Sequence, residues 1–213
     1  MAGRTDLWDQ TALAAAKISD VSPTFLSPPE IERLLSIASP LRRATFVFGR
    51  QTVRQHAATA LMCEPAAVPL VVAPDGSLEL ADSGLFVSLS HTTDGDMVSA
   101  FSGIARVPIG VDLEMRRPRN PDLLTRILNA DELAVPEHMQ LSTDDTIVVC
   151  WAMKEAVLKA RRSGFRCSAR EIRLAPTDQS ATFQADVLGE VWEVSFEMER
   201  HLVMAVATRP DER

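Results

Sequence analysis

Twice along this chain of 213 residues, a helical spacing of apolar side chains gives way to strict alternation, and that double switch restricts the folds open to it. Pro28-Pro29-Glu30 opens a pattern in which Ile31, Leu34, Leu35 and Ala38 recur at helix spacing, and Ser39-Pro40 closes it. A second helix is expected from about Leu41 to Met62, turning Phe46, Val47, Val53, Ala57 and Leu61 to a core. From Leu85 the period becomes two, Asp94-Gly95 supplies a hairpin turn, and Met97 to Phe101 reads as the return strand. Val107 to Met115 reads as a further strand, broken by Gly110, that runs into the loop Arg116-Arg117-Pro118-Arg119-Asn120-Pro121. Helical spacing then resumes around Asp122 to Leu133, and again from about Thr143, with acids at Asp144 and Asp145 in its first turn, to Arg162. The tail alternates over Phe183 to Leu188, Val191 to Met198 and His201 to Thr208, an antiparallel meander. The expected architecture is therefore α+β, with two comparable halves, residues 1–108 and 109–213, each carrying helices and a small antiparallel sheet.

A net charge of −7 argues against a general nucleic-acid binder, because release of counterions from a phosphate backbone needs a basic footprint. Cys63, Cys150 and Cys167 are far apart, with neither a CxxC pair nor a histidine at ligand spacing, and read as reduced thiols. The first 18 residues carry Arg4, Asp6, Asp9 and Lys17 through a mildly apolar stretch and so do not read as a signal peptide. No stretch approaches the roughly 20 apolar residues of a membrane span. The expectation is a cytoplasmic protein with no nucleic-acid or membrane partner.

Arginine outnumbers lysine 19 to 3, yet two of those lysines fall in Trp151-Ala152-Met153-Lys154-Glu155-Ala156-Val157-Leu158-Lys159. A compact ammonium suits contact with a phosphate oxygen, although Glu155 and Lys159 also make an ordinary helix pair. In Gly110-Val111-Asp112-Leu113-Glu114 the pleat puts Asp112 and Glu114 on one face, α-carbons about 6.5–7 Å apart, where two carboxylates can converge on one cation. Oxygen donors without Cys or His suit Mg²⁺ or Mn²⁺, with Glu155 as a third carboxylate. Arg50 and Arg54 stand one turn apart, with Arg42 and Arg43 upstream, and repel unless an anion or a carboxylate lies between them. Ser90-His91 sits on the strand ahead of the hairpin turn. A metal among phosphate-binding cations is the arrangement of phosphoryl transfer.

Ile109-Gly110-Val111-Asp112-Leu113-Glu114, followed about forty residues later by the Trp151 to Lys159 element, resembles the paired signature of 4'-phosphopantetheinyl transferases of the surfactin-synthetase-activating type. Leu89-Ser90-His91 and the Gly49-Arg50…Arg54 helix resemble that family's two N-terminal motifs. Where such proteins commonly carry Asn and a Gly-Lys/Arg-Pro element, this chain has Ser88 and Asp75-Gly76-Ser77. The resemblance implies a pseudo-dimer of two α+β halves with coenzyme A and Mg²⁺ in the cleft between them. It implies transfer of the phosphopantetheine arm to a serine of an apo acyl or peptidyl carrier protein, in fatty-acid, polyketide or nonribosomal peptide synthesis, with release of 3',5'-ADP. Carried over, Asp112, Glu114 and Glu155 hold the metal, Glu155 acts as base, and Lys159 touches the pyrophosphate. Arg42, Arg50, Arg54, Ser90 and His91 bind the phosphoadenosine end, and Lys154 has an orienting or structural part. A site complete in one chain implies a monomer.

Two other readings stay open on the residues alone: a Mg²⁺-dependent phosphohydrolase, and a non-catalytic relative that binds coenzyme A or a carrier. Arg116, Arg117, Arg119, Arg161, Arg162 and Arg166 are expected to steer an acidic carrier by local charge.

Overall fold

Five antiparallel strands and one long helix form in each of the two units into which the chain divides, Met1–Arg106 and Val107–Arg213. The computed structural model describes residues 7–132, 134–162, 167–179 and 181–210.

In the first unit the elements run β1 (Thr11–Lys17), α1 (Pro28–Ser36), α2 (Pro40–Leu61), β2 (Leu70–Val72), β3 (Leu78–Leu80), β4 (Phe86–Asp94) and β5 (Met97–Ala105). Ser39 caps α2 by accepting the Arg42 N–H at 3.4 Å, with Pro40 at the first helical position, where its missing N–H costs nothing. The helix stops where Met62 turns left-handed, φ 52°. Between β4 and β5, Asp94 pairs with Met97 across the hairpin turn and Gly95 takes φ 56°. The sheet order is β1-β5-β4-β3-β2, and α2 buries Val53, Ala57 and Ala58 against Val68, Leu70, Leu78, Leu80, Val87 and Ile104.

The second unit runs β6 (Ile109–Met115), α3 (Asp122–Ile127), α4 (Ala134–Met139), α5 (Thr143–Arg161), β7 (Ile172–Pro176), β8 (Thr182–Val187), β9 (Glu190–Glu199) and β10 (Leu202–Thr208). Its sheet order, β6-β10-β9-β8-β7, repeats that of the first unit position for position. In both, the first strand lies at an edge beside the last, and the helices are inserted between the first strand and the second. The α+β class and the antiparallel sheets are as the periodicity implies.

Three details differ from the sequence reading. β1, β2, β3 and β7 escaped it: β1 is Thr-Ala-Leu-Ala-Ala-Ala-Lys, whose alanines scarcely alternate in polarity, and β2 and β3 are three residues each. The helix expected over 122–133 ends at Leu128, where the chain extends to φ −95°, ψ 146°. The Glu132 carboxylate accepts from the Asn129 backbone N–H at 2.7 Å and from its amide at 2.9 Å, a local turn that competes with helix. Gly110 does not break β6 but pairs with Ala207 in register.

Candidate active site

The junction of α5 with β6 is closer than side chains ordinarily permit. A Cβ on Gly110 would stand 1.9 Å from the Ala156 carbonyl oxygen and 2.3 Å from the Ala160 nitrogen, so only glycine lets the helix backbone settle on this strand. Ala152, Ala156 and Ala160 are buried on α5, and the strands opposite carry Ala205 and Ala207, likewise buried. Asp112 follows Gly110 by two residues, on the same face of the pleat. Lys159 Nζ consequently donates to Asp112 Oδ1 at 2.6 Å.

Two more carboxylates complete the cluster. Burial pushes the Glu155 carboxyl above its ordinary range, the Asp112 charge pushes it further, and Lys159 partly offsets both. Glu114 is raised for the same first two reasons, and is held down by Arg119, Lys159 and a hydrogen bond donated by the Trp151 indole. Arg119 Nη2 lies 3.6 Å from Glu114 Oε2. The structure thus brings Asp112, Glu114, Glu155 and Lys159 together around one helix–strand contact, with Trp151 and Arg119 at its margin.

Lys154 points the other way along α5 into the unit's interior. It is 0% exposed, its ammonium 2.9 Å from Glu132. Sequence reasoning missed the roles of Gly110, Trp151 and Glu132. The first had a signal in the strand glycine, and the third in the Asn129-x-x-Glu132 spacing of a capping turn.

Residues 108–207 match the family model of the 4'-phosphopantetheinyl transferase superfamily. The match spans β6 through nearly all of β10 and so contains the whole acidic cluster. No curated protein matches the chain. Phosphopantetheinyl transferases move phosphopantetheine from coenzyme A to carrier proteins and generally use a divalent metal. Among the described residues, no three or more His, Cys, Asp or Glu side chains are already arranged to hold a metal ion. Lys159 and Arg119 stand on Asp112 and Glu114 instead. The donor set nevertheless fits a hard divalent cation: it offers three carboxylates, two of them with pKa values raised by burial first and by the charge of Asp112 second.

The first unit assembles its phosphate-binding candidates differently. Arg50 and Arg54 do share an anion, and it is the chain's own Glu30. Arg54 Nη2 lies 2.8 Å from Glu30 Oε2 and its Nη1 donates to the Val68 carbonyl at 2.8 Å, leaving the side chain 2% exposed. Arg50 Nε is 3.3 Å from Glu30 Oε1, with its guanidinium 4.9 Å from the centre of the Phe46 ring. Arg42 is exposed at the start of α2. Ser90 is buried and His91 exposed on β4. Gly49 brings α2 down onto that strand, since its missing Cβ would meet Leu89 Cδ2 at 3.0 Å and His91 Cδ2 at 3.6 Å. Arg50 and His91 therefore flank one helix–strand contact, and Arg54 is committed to the interior.

Of the arginines expected to steer a carrier, Arg116 grips Asp145 through two bonds of 2.8 Å, Arg119 faces Glu114, and Arg161 lies 3.2 Å from Glu190. Arg166, with Ser163 and Gly164, lies outside the described residues. Among the described residues no helix is long and apolar enough to cross a membrane.

Proposed function

We propose that this protein is a transferase of the surfactin-synthetase-activating type, a cytoplasmic monomer that moves the 4'-phosphopantetheine arm of coenzyme A to a serine of an apo acyl or peptidyl carrier protein. The observation that supports this most directly is the convergence of Asp112, Glu114, Glu155 and Lys159 within the segment that matches the superfamily. Asp112, Glu114 and Glu155 would hold Mg²⁺. When bound, that ion would neutralise and polarise the pyrophosphate oxygens.

The chain's own residues account for the remaining steps. Lys159, poised on Asp112, supplies an ammonium for the pyrophosphate. The serine Oγ forms a bond to the phosphorus that carries pantetheine, the bridging P–O bond breaks, and 3',5'-ADP leaves with the bridging oxygen. The serine proton passes to Glu155, whose carboxyl is pushed above its ordinary range by burial first and by Asp112 second. Arg42, Arg50, Ser90 and His91 of the first unit would receive the phosphoadenosine end, with Arg54 holding the helix that presents Arg50.

The test is mass spectrometry of apo carriers of fatty-acid, polyketide and peptide-synthetase origin after incubation with protein, coenzyme A and Mg²⁺. A phosphopantetheine adduct on a carrier serine is expected. No adduct on any carrier overturns the reading, and release of inorganic phosphate from nucleotides in its place points to a phosphohydrolase.

A further inference from the structure

We infer that Lys154, through Glu132, is a positioning residue that sets the rotation of α5 on β6 and so the presentation of Glu155 and Lys159. The inference rests on the transferase reading for what those two residues do, and it deepens that reading.

The ammonium of Lys154 has three protons and three acceptors around it. It donates to the Ile127 carbonyl at the end of α3 and to the Ile172 carbonyl at the start of β7, both at 2.8 Å, and to Glu132 at 2.9 Å. Glu132 is saturated too: Asn129 donates twice to Oε2, and the Leu174 N–H donates to Oε1 at 2.8 Å. One side chain of α5 is thus tied to segments that precede the helix and segments that follow it. Burial lowers the Lys154 pKa, and Glu132 offsets only part of that.

Buried ion pairs are seldom more stable than apolar residues of the same volume, so their contribution has to be sought in the arrangement they specify. The α5–β6 contact supplies a reason. Ala156 and Ala160 against Gly110 fix how closely α5 approaches β6, and the buried alanines there, Ala152, Ala156 and Ala160 on the helix with Ala205 and Ala207 on β10, project little that would set its rotation. A rotation of about 15° would carry a side-chain end lying about 6 Å from the helix axis through about 1.5 Å. Misplacement of a reacting group on that scale costs about 100-fold in rate. Lys154 is the residue next to Glu155, so fixing one fixes the other.

The first unit contains the same device, built from different residues. Glu30, held by the Ser27 N–H at 2.8 Å and the Ser27 hydroxyl at 2.9 Å, takes Arg54 of α2, which also donates to the Val68 carbonyl just ahead of β2. Each unit thus has a capping-turn glutamate before its long helix, a buried cation on the helix, and a carbonyl at the entry to the second strand.

The test is the double variant Glu132→Gln with Lys154→Met, which removes both buried charges together and leaves an amide acceptor for Leu174 or Asn129. Lys154→Arg is made in parallel; it keeps the charge pair and changes its geometry. Two readouts are taken on folded protein: the steady-state constants, and the ¹⁹F resonance of Trp151 in 5-fluorotryptophan-labelled protein, because Trp151 donates to Glu114 from the same helix. The expected result in both variants is a kcat lowered by up to about 100-fold with KM for coenzyme A unchanged, and a shifted Trp151 resonance. Wild-type kcat with an unmoved resonance, in whichever of the two variants folds, overturns the inference. If the wild-type protein modifies no carrier, the transferase reading fails on its own and the Trp151 resonance alone decides: a shift supports the positioning role, and an unmoved signal overturns it.

Discussion

The two units share a strand order and a helix insertion point, yet the long helix lies differently in each. In the first unit α2 packs chiefly on β5 and β4, whereas in the second α5 packs chiefly on β6 and β10, one strand closer to the edge that begins the unit. The glycine that admits the helix moves accordingly, from Gly49 on the helix in the first unit to Gly110 on the strand in the second. Counting along β1 and β6 from their first residues, Ala12, Ala14 and Ala16 stand where Gly110, Asp112 and Glu114 stand. Counting from the buried cations Arg54 and Lys154, Gln55 and Thr59 stand where Glu155 and Lys159 stand. Only the unit whose helix covers its first strand carries acids on both elements. The same topology therefore hosts a carboxylate cluster in one copy and a helix beside His91 in the other, and the lateral placement of one helix makes the difference.

The largest expected effect falls on the second unit. Glu155→Gln should lower transfer about 100- to 10,000-fold, measured as kcat on an apo carrier, because the base is lost. The corresponding Gln55→Glu in the first unit should leave kcat near wild type. Substantial turnover by E155Q would remove Glu155 from the chemistry.

Next in size is the buried pair of the first unit. Arg54→Met strands Glu30, also 5% exposed, inside the fold, and should cost about 3–5 kcal/mol in denaturant unfolding. A loss within error of zero would show that Glu30 is satisfied by Ser27 and Arg50 alone. Gly110→Ala should cost about 1–3 kcal/mol through overpacking against Ala156 and Ala160, while Ala12→Gly at the matching place in β1 should cost no more than about 1 kcal/mol. Equal costs at the two sites would erase the proposed difference in helix placement.

A smaller effect follows from the carboxylates. The folded pKa values of Glu114 and Glu155 lie above the ordinary 4.5, so the folded state holds protons that the unfolded state has released. Their contribution to stability is favourable at low pH and declines as pH rises from about the ordinary value through the folded one. E155Q removes part of that decline, so the Tm of metal-free E155Q should gain on wild type as pH rises through this window, and Mg²⁺ should narrow the gap. A Tm difference that shrinks with rising pH in metal-free protein would contradict the coupling. Smallest of all, Arg116→Ala should cost less than about 1 kcal/mol by thermal unfolding, since its pair with Asp145 is partly exposed.

Much of this was legible in the residues. The bounds of α2 and α5, the β4–β5 hairpin and the tail meander follow from apolar spacing, caps and Asp94-Gly95, all of which act within a few residues of one another. The alanine-rich β1 was not legible because its partner β5 lies far along the chain, and β2, β3 and β7 were not because each is too short to show a run of alternation. Asp112, Glu114, Glu155 and Lys159 stood out by type and spacing, whereas the fate of the arginines did not. Arg54 reads as one of a pair of cations awaiting an anion until Glu30 and the Val68 carbonyl are brought to it, and Lys154 reads as an orienting or structural residue whose partners Ile127, Ile172 and Glu132 only the fold supplies.

By itself the sequence determined which segments are helix or alternate as strand in most of the chain, the excess of acid over base, and the residue types at the β6–α5 contact, because these depend on local spacing and side-chain chemistry. The tertiary structure alone decided that the two sheets have one strand order, that α5 rests directly on Gly110, and that, of the cations the sequence offers to a phosphate, Arg54 is drawn into the interior while Lys159 stands on Asp112. The first two outcomes depend on packing between segments far apart in the chain, and the third on which long-range partner satisfies each charge in a low-dielectric interior, where an unpaired ion is too costly to leave.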